Sequence, residues 1–174
     1  MRKVVALLLV VLFVAMTSAY AEDYSAMTTE DLQKTMDSIK EELVSRQIEE
    51  SGRILVADEY GVKIYFDGFT KDVMDDEFIR FLVLNNSAET YPLVVSIKQL
   101  YVENWDVLSN GYLQTLEPGK NGVGEAWMSW EKCITANEDT ASKVDVQFEF
   151  QIEKEQYNWE TVHTTGLITF NISK

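Results

Sequence analysis

The chain has 174 residues, with 15 Lys or Arg against 29 Asp or Glu, a formal net charge of −14, one cysteine and one histidine. A surface this acidic repels phosphate backbones and anionic lipid, which excludes nucleic acid as a partner. A single thiol excludes an intramolecular disulfide, and one Cys with one His cannot supply a zinc site of several such ligands. No cofactor is expected, and Ca²⁺, which takes oxygen ligands, is left open.

The first segment reads as an export signal. Arg2 and Lys3 precede an apolar run from Val4 to Met16, and Thr17-Ser18-Ala19-Tyr20-Ala21 ends it with small residues at the two positions a signal peptidase reads. Thirteen apolar residues fall short of the roughly 20 that cross a hydrocarbon core. Residues 1–21 are therefore expected to be a signal peptide cleaved after Ala21, with no stable membrane insertion afterwards and an extracellular, secreted product starting at Glu22. No cysteine stands near the cleavage point to accept a lipid. Cleavage removes two basic residues and no acid, leaving a charge of −16 on 153 residues, enough chain for one ordinary domain.

Thr28-Thr29-Glu30-Asp31 has the S/T-x-x-D/E relation of a capping box and marks a helix start. Leu32, Met36, Ile39 and Leu43 then recur at spacings of four and three, broadened by Val44 and Ile48. Glu30 with Lys34, and Glu42 with Arg46, stand four apart in the favourable order. Ser51-Gly52 supplies a stop. An amphipathic helix is expected within 22–52, its stripe packed on the following domain or presented to a partner.

From Arg53 the period changes to two. Ile54 to Ala57 and Val62 to Phe66 make a hairpin about Asp58-Glu59-Tyr60-Gly61. Phe78 to Leu84 and Leu93 to Val102 read as central strands, and Tyr112 to Leu116 pairs with Val123 to Trp130 across Glu117-Pro118-Gly119-Lys120. Val144, Val146, Phe148, Phe150 and Ile152 alternate with Asp145, Gln147, Glu149 and Gln151, and Thr164 to Ile172 closes the set. Seven or eight strands over 53–174 predict a mainly β fold, an immunoglobulin-like antiparallel sandwich preceded by one helix.

The acidic capped helix, the strand "GVKIYFDGF", the segment "FIRFLVLNNSAETYPLVV", the turn "LEPGKNG" and the strand "VDVQFEFQI" together resemble small exported immunoglobulin-like proteins of Gram-positive bacteria. That resemblance implies the sandwich fold and export. It assigns no catalytic or binding residue.

Asp72, Asp75, Asp76 and Glu77 form an acidic stretch that offers oxygens to Ca²⁺, though not at EF-hand spacing. The same acids, or Glu125 with Glu131, are the carboxylate pairs a glycosidase would need. Cys133 and His163 are a thiol and a base that nothing in the sequence connects. No nucleophile–base or metal signature emerges, so an enzyme is not expected. Trp127 and Trp130, three apart in a strand, should face opposite ways, with at least one inside. Trp105, in Glu103-Asn104-Trp105-Asp106, and Tyr157 with Trp159, in Tyr157-Asn158-Trp159-Glu160, occupy turn-like segments whose rings are candidate ligand-binding groups. Asn85 and Asn171 begin N-x-S sequons. The reading is a non-catalytic extracellular interaction module, with a protein partner favoured over a glycan. A carbohydrate-binding module is the alternative, and a small secreted hydrolase the third class.

Overall fold

The computed structural model describes residues 28–133, 135–155 and 158–172; the signal-like segment 1–21 and the candidate ring Tyr157 lie outside them. The chain divides into two compact units at Glu50 and Ser51.

In the first unit, α1 runs Thr29–Glu50, 22 residues. Its start is the capping box read from the sequence. The Asp31 N–H donates to Thr28 Oγ1 at 3.2 Å, and the Thr28 N–H reaches back to Asp31 Oδ2 at 3.4 Å. Lys34 pairs with Glu30 at 2.9 Å and Arg46 with Glu42 at 2.8 Å. Leu32, Met36, Ile39, Leu43 and Val44 are exposed, whereas Ile48 is buried.

The second unit is built from strands β1 (Ile54–Glu59), β2 (Val62–Lys71), β3 (Glu77–Asn85), β4 (Leu93–Val102), β5 (Trp105–Asp106), β6 (Leu108–Asn110), β7 (Tyr112–Leu116), β8 (Asn121–Met128), β9 (Lys143–Glu155), β10 (Asn158–Thr164) and β11 (Ile168–Asn171). One sheet has the order β1-β2-β3-β8-β6. The other runs β10-β9-β4-β5, with β11 also on β9 and β7 also on β4. All pairs are antiparallel.

The alternating residues meet between the sheets. Ile64, Phe66, Ile79, Phe81, Val83, Ala126 and Met128 of the first face Leu93, Val95, Leu100, Val146, Phe148 and Phe150 of the second, all buried in one cluster. Phe81 and Phe148 cross edge to face at 5.3 Å between ring centroids, and Phe66 lies 5.2 Å from Phe170. A bulge between Ile97 and Gln99 changes the parity of β4, which lets Ile97 and Leu100, three apart, both point inward.

The sequence pattern undercounts the strands. β5 and β6 are only two and three residues long, too short for an alternation to register. The expected closing strand Thr164 to Ile172 holds β11 and only the last residue of β10, Thr164. Thr165 interrupts them, its hydroxyl accepting the Phe148 N–H at 2.9 Å. Trp105 and Trp159 sit in strands, not turns: Trp105 pairs with Val102, and Trp159 with Glu153. β10 was hidden because register shifts after Asn158 and Thr161 scramble its period.

Candidate functional site

The acidic stretch forms the turn between β2 and β3. Asp72 organises it, its Oδ1 accepting the N–H groups of Met74 at 2.8 Å and Asp76 at 3.0 Å. The Asp72 N–H in turn donates to the Asp76 carbonyl at 3.0 Å. Asp75 takes the left-handed conformation, φ 64°, which Asp tolerates better than most residues. Val73 and Met74 at the tip are fully or largely exposed.

Two of the four carboxylates are therefore committed. Asp72 serves the backbone, and Glu77 pairs with Lys71 at 3.2 Å, which Glu138 also holds at 2.8 Å. Hydrogen bonds first to Glu138 and then to Glu77 push the Lys71 ammonium up to about 12. Among the described residues no three His, Cys, Asp or Glu are gathered as a metal-holding group.

Asp75 and Asp76 instead line an open groove of about 300 Å³, together with Glu77, Ser109, Trp127, Ser129, Trp130 and Glu131. The sheet builds its walls. Glu77 pairs with Met128, and Phe78 with Trp127, while Asn110 of β6 flanks Trp127 on the other side. After Met128 the chain turns through a short 3₁₀ segment, Trp130–Lys132. The two indoles part, but not by strand alternation: the expected strand to Trp130 ends at Met128, and Trp130 lies in the 3₁₀ segment. Trp127 is 45% exposed, whereas Trp130 is 9% exposed and packs edge-on against Phe69 at 5.2 Å. The Trp130 Nε1 is buried with no hydrogen-bond partner among the described residues. Of the nearby lysines, Lys71 is held by Glu77 and Glu138, and Lys132 donates to the Leu108 carbonyl at 3.1 Å.

Trp105 is 37% exposed and Trp159 53%, but they do not share a surface. Trp105 pairs with Val102, which pairs with Val144, whereas Trp159 pairs with Glu153. Those two positions of β9 are nine residues apart, about 30 Å at the rise of an extended strand. Trp105 stands at the end that carries the Asp72–Asp76 turn, and Trp159 at the opposite end.

The Trp159 end holds a cluster that sequence reading missed. His163, Tyr60 and Phe150 form a triangle of rings, His163 lying 5.6 Å from each and the other two 6.4 Å apart, and the His163 Nε2 meets Glu59 at 2.7 Å. The Tyr60 hydroxyl donates to Glu89, and Lys154 pairs with Glu160 at 2.5 Å. The bond to Glu89 first, then burial, raises Tyr60 above its ordinary value. These residues come from separate segments, so no local spacing announces them.

The remaining candidates fall apart. Cys133 is buried, its thiol 3.9 Å from the Val102 carbonyl, remote from His163 beside Phe150. Glu125 lies near Arg80 at 3.8 Å, and Arg80 is itself bonded to Asp67 at 2.9 Å. Asn85 is buried and bonded to the Glu117 carbonyl, which leaves no free amide at that sequon. No known family model, curated protein or solved structure matches the chain.

Proposed function

We propose that this protein is an exported, non-catalytic interaction module, an immunoglobulin-like sandwich that binds a protein partner outside the cell. Its observation is that three of the four tryptophans are kept out of the core, Trp105, Trp127 and Trp159 being 37%, 45% and 53% exposed. An indole is among the largest apolar groups a chain can bury, and tryptophan often dominates an interface when truncated. A surface that retains three of them is suited to association. The second reading, a carbohydrate-binding module, draws on Trp127, which stands beside Ser109, Ser129 and the carboxylates of Asp75, Asp76 and Glu131 in one groove, groups that stack on a sugar and accept from its hydroxyls.

Capture from culture supernatant on immobilised protein tests this, with Trp105→Ala, Trp127→Ala and Trp159→Ala alongside wild type. At least one variant that keeps its melting temperature should lose about 30-fold in affinity for the captured protein, the equivalent of about 2 kcal/mol. Retention of the same protein by all three folded variants overturns the reading.

A further inference from the structure

The side of the second sheet turned away from the core carries aromatic rings that the core does not use. Val144, Val146, Phe148, Phe150 and Ile152 of β9 point inward, so the alternate residues point out, and residues registered with those share that side. Tyr112 pairs with Ser96 and through it with Glu149, whereas Trp159 pairs with Glu153. The two rings are 52% and 53% exposed. They stand three strands and four residues apart, about 20 Å at ordinary strand spacing and rise. The Tyr112 hydroxyl meets Thr115 Oγ1 on its own strand at 3.3 Å, which lays that ring along the sheet rather than out into solvent.

Between the rings this side is polar and locally neutral, in a chain of net charge −14. Lys98 pairs with Glu149 at 3.4 Å, and Lys143 with Asp145 at 2.9 Å. Gln151 lies between the rings, its amide nitrogen donating to Glu149 at 3.2 Å and to Thr161 Oγ1 at 3.4 Å. Those bonds fix the amide plane and leave its oxygen without a donor among the described residues. Of the side chains that β4, β7, β9 and β10 turn outward, Val94 is the only aliphatic one, and it is 5% exposed. An anionic polymer needs cations, and both lysines are engaged. A protein interface is built around an apolar centre, which this side lacks. A neutral glycan brings what the side can meet, C–H faces for the rings and hydroxyls for the amide and the Ser and Thr oxygens.

We propose that this side of the second sheet binds a neutral polysaccharide, which crosses it obliquely with sugar faces on Trp159 and Tyr112 and a hydroxyl on the Gln151 amide oxygen. The span between the rings calls for an oligosaccharide rather than a single sugar. This does not rest on the protein-binding reading above, and it puts the sugar on a different surface from the Trp127 groove.

The test uses the full chain, with calorimetry and tryptophan fluorescence on cellohexaose, xylohexaose and mannohexaose. The matching disaccharides and polygalacturonate are the comparison probes. At least one hexasaccharide is expected to bind, and its disaccharide at least about tenfold more weakly, since it cannot reach both rings. Trp159→Ala and Tyr112→Ala should each weaken the hexasaccharide at least about fivefold. Both positions are about half exposed, so both variants should keep their melting temperature. Trp127→Ala lies in the other sheet and should change affinity by less than about twofold. Raising NaCl from about 50 mM to about 500 mM should change it as little, since no charge meets the ligand.

No binding of any of the three hexasaccharides, or equal affinity in wild type and in both folded ring variants, overturns the proposal. Binding that is lost in Trp127→Ala and kept in Trp159→Ala and Tyr112→Ala overturns it in favour of the groove. Polygalacturonate bound more tightly than the neutral sugars, and released by salt, overturns it in favour of an anionic ligand. The protein-partner reading is decided apart from all of these, by the capture experiment.

Discussion

Glu103 fixes a turn whose backbone is unfavourable. Glu103 and Asn104 both have positive φ, 49° and 71°, the conformation a two-residue turn needs to match the twist of its strands and one that costs a glutamate more than a glycine. The carboxylate offsets that cost by accepting from the Ser142 hydroxyl at 2.8 Å, the Ser142 N–H at 2.8 Å and the Lys143 N–H at 2.9 Å. These bonds, the Ser142 hydroxyl first, hold the group below its ordinary value. A carboxylate depressed by folding contributes stability above its unfolded pKa, and the contribution is lost as pH falls through the folded value. Glu103→Gln should lower stability at neutral pH by about 1 kcal/mol, a modest figure because solvent screens the site. The difference should shrink as pH falls through the lowered folded value, where the wild-type group becomes protonated too. Urea midpoints at neutral and acid pH decide it, and an equal gap at both means that charge plays no part. Nothing in the sequence singles out Glu103, because Ser142 and Lys143 stand about 40 residues away in the chain.

At the scale of elements, the crossing between the sheets depends on one close approach. β5 belongs to the second sheet and β6 to the first, and β7 returns to pair with β4. The return passes Gly111, whose carbonyl accepts the Ile97 N–H at 2.6 Å, and where a Cβ would stand 1.9 Å from the Ile97 carbonyl oxygen. Backbone cannot yield as a flexible side chain can, so Gly111→Ala should cost about 3 kcal/mol or more, or prevent folding. Gly166, between β10 and β11, has open space at its Cβ position, and Gly166→Ala should stay within about 0.5 kcal/mol of wild type. Thermal melts of the two variants separate the cases; equal losses mean that the crossing is not rigid. Helix α1 is the opposite kind of element. Its cap joins residues three apart and its ion pairs join residues four apart, so its start is readable from the segment alone.

At the scale of the whole molecule, the turn that carries the acidic groove and the end that carries Trp159 lie at opposite ends of the β unit, and each presents an aromatic ring near carboxylates. Use of these surfaces outside the cell depends on the export that we propose from the segment 1–21. N-terminal sequencing of secreted material should begin at Glu22, and a start at Met1 or retention in the membrane fraction would end that reading. The sequence by itself determined the helix start, the change from helical to strand period near Arg53, and the inward face of β9, because each follows from contacts within a few residues or from strict alternation along one strand. It did not determine that Trp105 and Trp159 stand at opposite ends, that Trp127 faces a groove, or that Asp72 and Glu77 turn away to other partners. Alternation assigns a side chain to a face but not to a neighbour. The neighbours were decided by pairings between distant strands, β3 with β8 and β4 with β9, and by bulges that reverse the parity partway along a strand.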